Sequence, residues 1–241
     1  MKDSLRAVDL EKRYGKRKVV DRVSIEVRRG EVAGLLGPNG AGKTTVFSLL
    51  LGLVPMDGGR VFLRGEDVSG DPMYARARKG LGLLPQEPSV FRKLSVEGNL
   101  RAVLEGRPDA IASKRASVKE ALAEFGLERL AGSRAVDLSG GERRRLEIAR
   151  AMITGPDFLL LDEPFTGIDP LAVADFQKII RGLRDRGVGV LLTDHAVREA
   201  LGVTDRAYVI DGGRILMEGT PEEVLSSTEA RKSYLGNEFR L

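Results

Sequence analysis

Val32-Ala33-Gly34-Leu35-Leu36-Gly37-Pro38-Asn39-Gly40-Ala41-Gly42-Lys43-Thr44 is the stretch that decides the fold. Its first five residues form an unbroken apolar run, the pattern of a strand covered on both faces. The next eight match Gly-x-x-x-x-Gly-Lys-Ser/Thr, a loop whose glycines let backbone N–H groups turn inward around phosphate oxygens. Lys43 is placed to reach the β- and γ-phosphates of a nucleotide, and Thr44 offers a hydroxyl to Mg2+. The residues that follow predict a helix over Lys43–Leu51, its positive N-terminus aimed at the same phosphates. An accidental glycine-rich turn can match the pattern, but it lacks the strand before and the helix behind. Gly37 through Thr45 is therefore read as a loop that binds the phosphates of a nucleotide.

Outward from this loop, Phe158-Leu159-Leu160-Leu161-Asp162-Glu163 is an apolar strand ending in two acids. Alone, such acids usually mark the start of a loop. Beside a phosphate loop, Asp162 is suited to hold Mg2+ and Glu163 to polarise the attacking water. That chemistry asks for positioning and charge neutralisation around a transferred phosphoryl group. Further strand-like runs lie at Val19–Val27, Val61–Leu63, Leu81–Leu84, Val188–Thr193 and Ala207–Ile210. In the second half, helical patterns at Leu146–Met152, Leu171–Asp185 and Ala196–Leu201 separate them. The alternation predicts an α/β fold with a mainly parallel sheet core. The opening third reads as successive strands, which predicts an antiparallel β subdomain.

The stretch from Pro88 to Asp137 differs. Val118, Ala121, Leu122 and Phe125 share one helical face, and Gly126 supplies a stop. The reading is one domain over 1–241, with a helical subdomain at 88–137 inserted into a core formed by 1–87 and 138–241. Asp211-Gly212-Gly213 predicts a hairpin turn, and Thr220-Pro221-Glu222-Glu223 a capping box.

Composition removes several classes of function. With no cysteine and His195 as the single histidine, neither a disulfide framework nor a thiolate or multi-histidine metal site is available. The lack of cysteine fits a reducing cytosol. No apolar run approaches the roughly 20 residues of a membrane span, and Met1–Leu10 is too charged for a signal peptide. The net charge of +4 comes from scattered arginines, and aromatics make up only 5%. That pattern reads as a solvated surface, so no nucleic-acid partner is expected.

Leu138-Ser139-Gly140-Gly141-Glu142 resembles the signature motif of ABC (ATP-binding cassette) proteins. The resemblance implies that Ser139, Gly140 and Gly141 meet the γ-phosphate of ATP held by a second copy, in a head-to-tail homodimer sandwiching two ATP. Two glycines allow close backbone approach, and a helix N-terminus favours an anion. Ser139 and Glu142 also form a Ser-x-x-Glu cap by themselves, and both readings hold together. Glu142 stands where many members have Gln.

Other elements resemble the family pattern in the same order. Gln86 resembles the glutamine that contacts Mg2+ and senses a transmembrane partner. Thr166-Gly167-Ile168-Asp169 occupies the loop that crosses the dimer interface, His195 resembles the switch histidine at the γ-phosphate, and Tyr14 the ring that stacks on adenine. The catalytic set implied is Glu163, His195, Lys43 and Gln86, with Thr44, Gln86 and Asp162 around Mg2+. Asp169 joins the nucleotide-binding set.

Within the family, several stretches are similar to the ATPase of bacterial lipopolysaccharide transport exporters. They are Pro85–Glu97, Ser139–Arg150, Asp162–Pro170, Asp194–Glu199 and the ending Tyr234–Leu241. Thr166 and Gly98 depart slightly from that pattern, at positions without a catalytic role. The alternative is the ATPase of branched-chain amino-acid importers, which shares the phosphate-loop neighbourhood and a Tyr-Leu-Gly near the C-terminus. The Phe-Arg-Leu ending and Phe91–Leu94 favour the exporter. A non-transport ABC ATPase acting on nucleic acid is more distant, because no heptad run, cysteine pair or second cassette is present. The exporter reading implies transmembrane permease subunits docking near Val90, Phe91 and Leu94, at the cytoplasmic face of the bacterial inner membrane. The same three residues also read as packing between the helical subdomain and the core.

Overall fold

A computed structural model describes residues 3–107 and 117–228. In chain order its strands are β1 (Ser4–Tyr14), β2 (Arg17–Arg28), β3 (Val32–Leu36), β4 (Gly58–Leu63), β5 (Glu66–Asp67) and β6 (Leu81–Leu84), then β7 (Phe158–Asp162), β8 (Gly189–Asp194), β9 (Arg206–Asp211) and β10 (Arg214–Gly219). The helices are α1 (Lys43–Leu51), α2 (Met73–Arg78), α3 (Val96–Glu105) and α4 (Val118–Glu124), then α5 (Gly140–Met152), α6 (Pro170–Asp185), α7 (Val197–Leu201) and α8 (Pro221–Ser226).

The six-stranded sheet runs β10-β9-β3-β8-β7-β6 and is parallel from β9 to β6, with β10 antiparallel at one edge. Alternate residues of its strands feed two cores. Val32, Leu36, Leu159, Leu161, Val190 and Leu192 face the core shared with α5 and α6. Ala33, Leu35, Phe158, Leu160 and Leu191 face the other, against α1 and the second sheet. Two buried faces explain why these strands read as continuous apolar runs. Each fully buried Leu, Val or Phe contributes about 1.5–3 kcal/mol, so a charge at Leu160 would break the centre of the fold.

The second sheet, ordered β2-β1-β4-β5, is antiparallel throughout. β1 has no counterpart in the sequence reading, because its register shifts between Ala7 and Leu10, where Asp9 adopts φ 48°. The bulge interrupts the period-2 pattern that would announce a strand. The short helix α2 was also illegible. Its buried residue is Arg76, whose guanidinium donates to the carbonyls of Leu49 (2.7 Å), Leu50 (2.6 Å), Ser69 (3.1 Å) and Asp71 (2.9 Å).

Between β6 and β7 the described residues form helices and turns, apart from an isolated bridge of Ser95 with Arg134. Ala121, Leu122 and Phe125 are buried, as their spacing predicts, and Gly126 ends the segment at φ 63°. α5 begins at Gly140, before the Leu146 suggested by apolar spacing, because its first turns are rich in arginine and glycine. The hairpin at Gly212 and Gly213 and the capping box of Thr220 with Glu223 form as expected. Tyr234–Leu241 lies outside the described residues. No helix among the described residues is long and apolar enough to cross a membrane.

Candidate active site

β3, β8, β7 and β6 are neighbours in the sheet, and their C-terminal ends bring the predicted chemistry together. Beyond β3, a Cβ at Gly37 would meet the Ile210 carbonyl oxygen at 2.0 Å, so only glycine fits. Gly42 adopts φ 112° ahead of α1, a conformation that L side chains rarely take. The Ala41 carbonyl accepts from Gly213 N–H (3.0 Å), so the β9–β10 turn braces the loop.

Lys43, buried at the start of α1, donates from Nζ to the carbonyls of Gly37 (2.6 Å) and Pro38 (3.1 Å). Its ammonium thus lies along the inner wall of the loop. Burial lowers its pKa, while Glu163, Asp162 and Asp194 oppose that shift. A cavity of about 310 Å³ opens here, with Tyr14, Asn39, Gly40, Lys43, Thr44, Thr45 and Glu163 in its wall. Tyr14 is 50% exposed, leaving ring surface free for a flat partner.

At the end of β7, Asp162 pairs in register with Thr193 of β8. Thr193 Oγ1 donates to Asp162 Oδ1 (2.8 Å) and accepts from Glu163 N–H (3.2 Å). Burial pushes the Asp162 carboxyl above its ordinary pKa, and the Thr193 hydrogen bond works against that. Glu163 adopts φ 45°, a left-handed conformation that costs a non-glycine residue about 1–3 kcal/mol. Its Oε2 gathers three polar groups: Gln86 Nε2 donates at 2.7 Å, Thr166 Oγ1 at 3.4 Å, and His195 Nδ1 stands at 3.3 Å. Asp194 is fully buried between these loops, accepting from Phe165 N–H and Ala196 N–H, each at 2.8 Å.

The remaining predicted residues lie elsewhere. Ser139 caps α5 in a reciprocal box, donating from Oγ (2.7 Å) and N–H (2.8 Å) to Glu142 Oε2. Ser139, Gly140, Gly141, Thr166 and Asp169 line a second cavity of about 420 Å³, which Gln86 also reaches. Within one chain the predicted residues therefore fall into two groups. One holds the phosphate loop, the acids, Tyr14 and His195; the other holds the Ser-Gly-Gly turn and Asp169.

Thr193 and Asp194 were missed as site residues. The available signal was two polar residues closing an otherwise apolar strand that proves wholly buried. Near the helices, Phe91 and Leu94 remain 48% and 41% exposed, while Val90 is buried. The Arg150 guanidinium lies 4.6 Å from the Phe91 ring centroid.

Fold and site together define a P-loop ATPase with a Ser-Gly-Gly turn in a second cavity. The family model described as ABC transporter matches residues 20–166. The chain belongs to the ABC transporter family, as an ATP-binding, ATP-hydrolysing subunit. It is 57% identical over 238 residues to a probable ABC transporter ATP-binding protein of Azorhizobium caulinodans, covering 99% of this chain and 85% of that one. It is 52% identical over 239 residues to the lipopolysaccharide export system ATP-binding protein LptB of Escherichia coli K12, covering 99% of each. A crystal structure of an ATP-binding cassette of an ABC transporter in its ADP conformation matches with a TM-score of 0.87 and 28% identity, covering 98% of this chain and 100% of that one.

Proposed function

We propose that two copies of the chain pair head to tail around two ATP molecules and that hydrolysis powers lipopolysaccharide export through transmembrane subunits. The observation that carries the pairing is the separation of Ser139, Gly140 and Gly141 from Lys43 and Thr44 into two cavities of one chain. A second copy turned end to end would close each half with the complementary half of its partner.

In such a site the loop Gly37–Thr45 and Lys43 cradle the β- and γ-phosphates, and Tyr14 stacks on the adenine. Thr44, Asp162 and Gln86 fit Mg2+, a hard cation that takes a few protein oxygens together with substrate phosphates. Mg2+ would supply charge neutralisation across those phosphates. Glu163 takes a proton from the attacking water, whose oxygen bonds to the γ-phosphorus. The bond from that phosphorus to the bridging oxygen breaks, and ADP carries the charge away. His195, 3.3 Å from Glu163 Oε2, donates to the γ-phosphate. Asp169 approaches the interface from the side of Ser139. The described helices between β6 and β7 form a subdomain whose exposed Phe91 and Leu94 meet the membrane partner.

Export of lipopolysaccharide rests on relatives of that printed function, 50–52% identical over nearly the whole chain. They favour the exporter over the amino-acid importer and the nucleic-acid ATPase. Such a subunit works at the cytoplasmic face of the inner membrane. Purifying the native complex from membranes and identifying its integral subunits tests this. Lipopolysaccharide-export subunits are expected; amino-acid permease subunits would overturn the substrate and leave the ATPase standing.

A further inference from the structure

We infer that Asp194 is a positioning residue, whose carboxylate fixes the loop carrying Glu163, Thr166 and Asp169 to the loop carrying His195. The inference rests on the reading of Glu163 as the base. Asp194 ends β8 with none of its surface exposed. Its Oδ2 accepts from Phe165 N–H at 2.8 Å, and its Oδ1 accepts from Ala196 N–H at 2.8 Å. One rigid carboxylate thus spans both loops on either side of the reacting centre. Burial raises its pKa, so holding the ionised form here is costly unless its N–H partners stay in place. An apolar side chain could fill the space without that cost. What the carboxylate adds is a fixed separation between two backbones.

The held residue leads into the second half-site. Phe165 stands edge-on to Phe176, with ring centroids 5.6 Å apart and an interplanar angle of 87°. Phe176 lines the cavity of Ser139 and Asp169. Thr166 N–H donates to the Glu163 carbonyl (3.2 Å), and Ile168 N–H to the Phe165 carbonyl (3.3 Å). A shift of Phe165 therefore moves Glu163 on one side and the approach to Asp169 on the other. One rung earlier, the Thr193 hydroxyl donates to the Asp162 carboxylate and accepts from Glu163 N–H. Asp194 continues that bracing past the acids and into the interface loop.

The test is Asp194→Asn in the full chain, which keeps the shape but turns an amide NH2 toward one of the two N–H groups. Turnover should fall about tenfold or more while the KM for ATP stays within about twofold, since the hydrogen bonds that hold Lys43 in the phosphate loop do not involve Asp194. Amide exchange at Phe165 should quicken while that of β3 and β7 is unchanged. Turnover within about twofold of wild type, with Glu163→Gln inactive, would overturn the inference. So would a raised KM with unchanged turnover. Wild-type turnover in Glu163→Gln would instead remove the base assignment, and the inference with it. If Asp194→Asn does not fold, exchange in the unaltered protein decides. The Phe165 amide should exchange about 100-fold more slowly than exposed loop amides, and equal rates would overturn the inference.

Discussion

The side-chain amide of Gln86 donates to Glu163 Oε2 at 2.7 Å, joining the ends of β6 and β7 across 77 residues of sequence. One contact thus links the loop after β6 to the proposed base. Removing it frees Glu163 from a partner and takes an oxygen donor from the proposed Mg2+ position. Gln86→Ala should lower turnover about tenfold with ATP binding largely retained, because Lys43 and the loop remain. Steady-state ATPase assays with nucleotide titration check this. Unchanged turnover would show that the contact has no part in the reaction.

His195 has the same carboxylate as neighbour, with its side chain 50% exposed. An exposed ring contributes little to packing, so its removal should affect chemistry before stability. His195→Ala is expected to cut turnover about 100-fold while ATP affinity changes by less than about threefold. A lowered melting temperature with unchanged turnover per folded molecule would mark a purely structural histidine.

Phe91 offers a different kind of test, because it presents half its surface while Arg150 stacks on it. An aromatic anchor of this sort commonly contributes about 2 kcal/mol or more to partner binding. Phe91→Ala should therefore weaken copurification with the membrane subunits about 30-fold, the equivalent of that energy. The melting temperature should fall by no more than about 2 °C. Unfolding of the variant would assign the ring to packing.

Acid should loosen the cap of α5. The Ser139 hydroxyl, and then its N–H, hold the Glu142 carboxyl below its ordinary value of 4.5. A depressed folded pKa means stability that is fully present above the ordinary value and is lost as pH falls through the folded one. Glu142→Gln should make the melting temperature less sensitive to pH below about 4.5, by about 1–3 °C. Parallel curves for both proteins would show that the cap does not titrate.

The phosphate loop, the Asp162-Glu163 strand and the Ser139 cap were all legible because each is a local pattern whose physics is complete within a dozen residues. Helix α1 falls on Lys43–Leu51 as read from the chain. β1 was hidden by the bulge near Asp9, and α2 by the burial of Arg76 in place of an apolar residue. Thr193 and Asp194 were hidden for another reason. Their importance comes from which strand lies beside β7, and strand order is not written in any one segment. The convergence of three groups on Glu163 Oε2 is likewise a property of the folded sheet.

The central claim is that the base acts within a site completed by a second copy. Glu163→Gln removes the proton acceptor but leaves Lys43, Thr44 and Asp162 to hold the nucleotide. Size-exclusion chromatography of this variant with and without Mg-ATP, beside an ATPase assay, measures both parts at once. The account predicts hydrolysis lowered at least about 100-fold and a shift from one chain to two on adding ATP. A variant that hydrolyses ATP at the wild-type rate, or binds it and remains a single chain, would contradict the account.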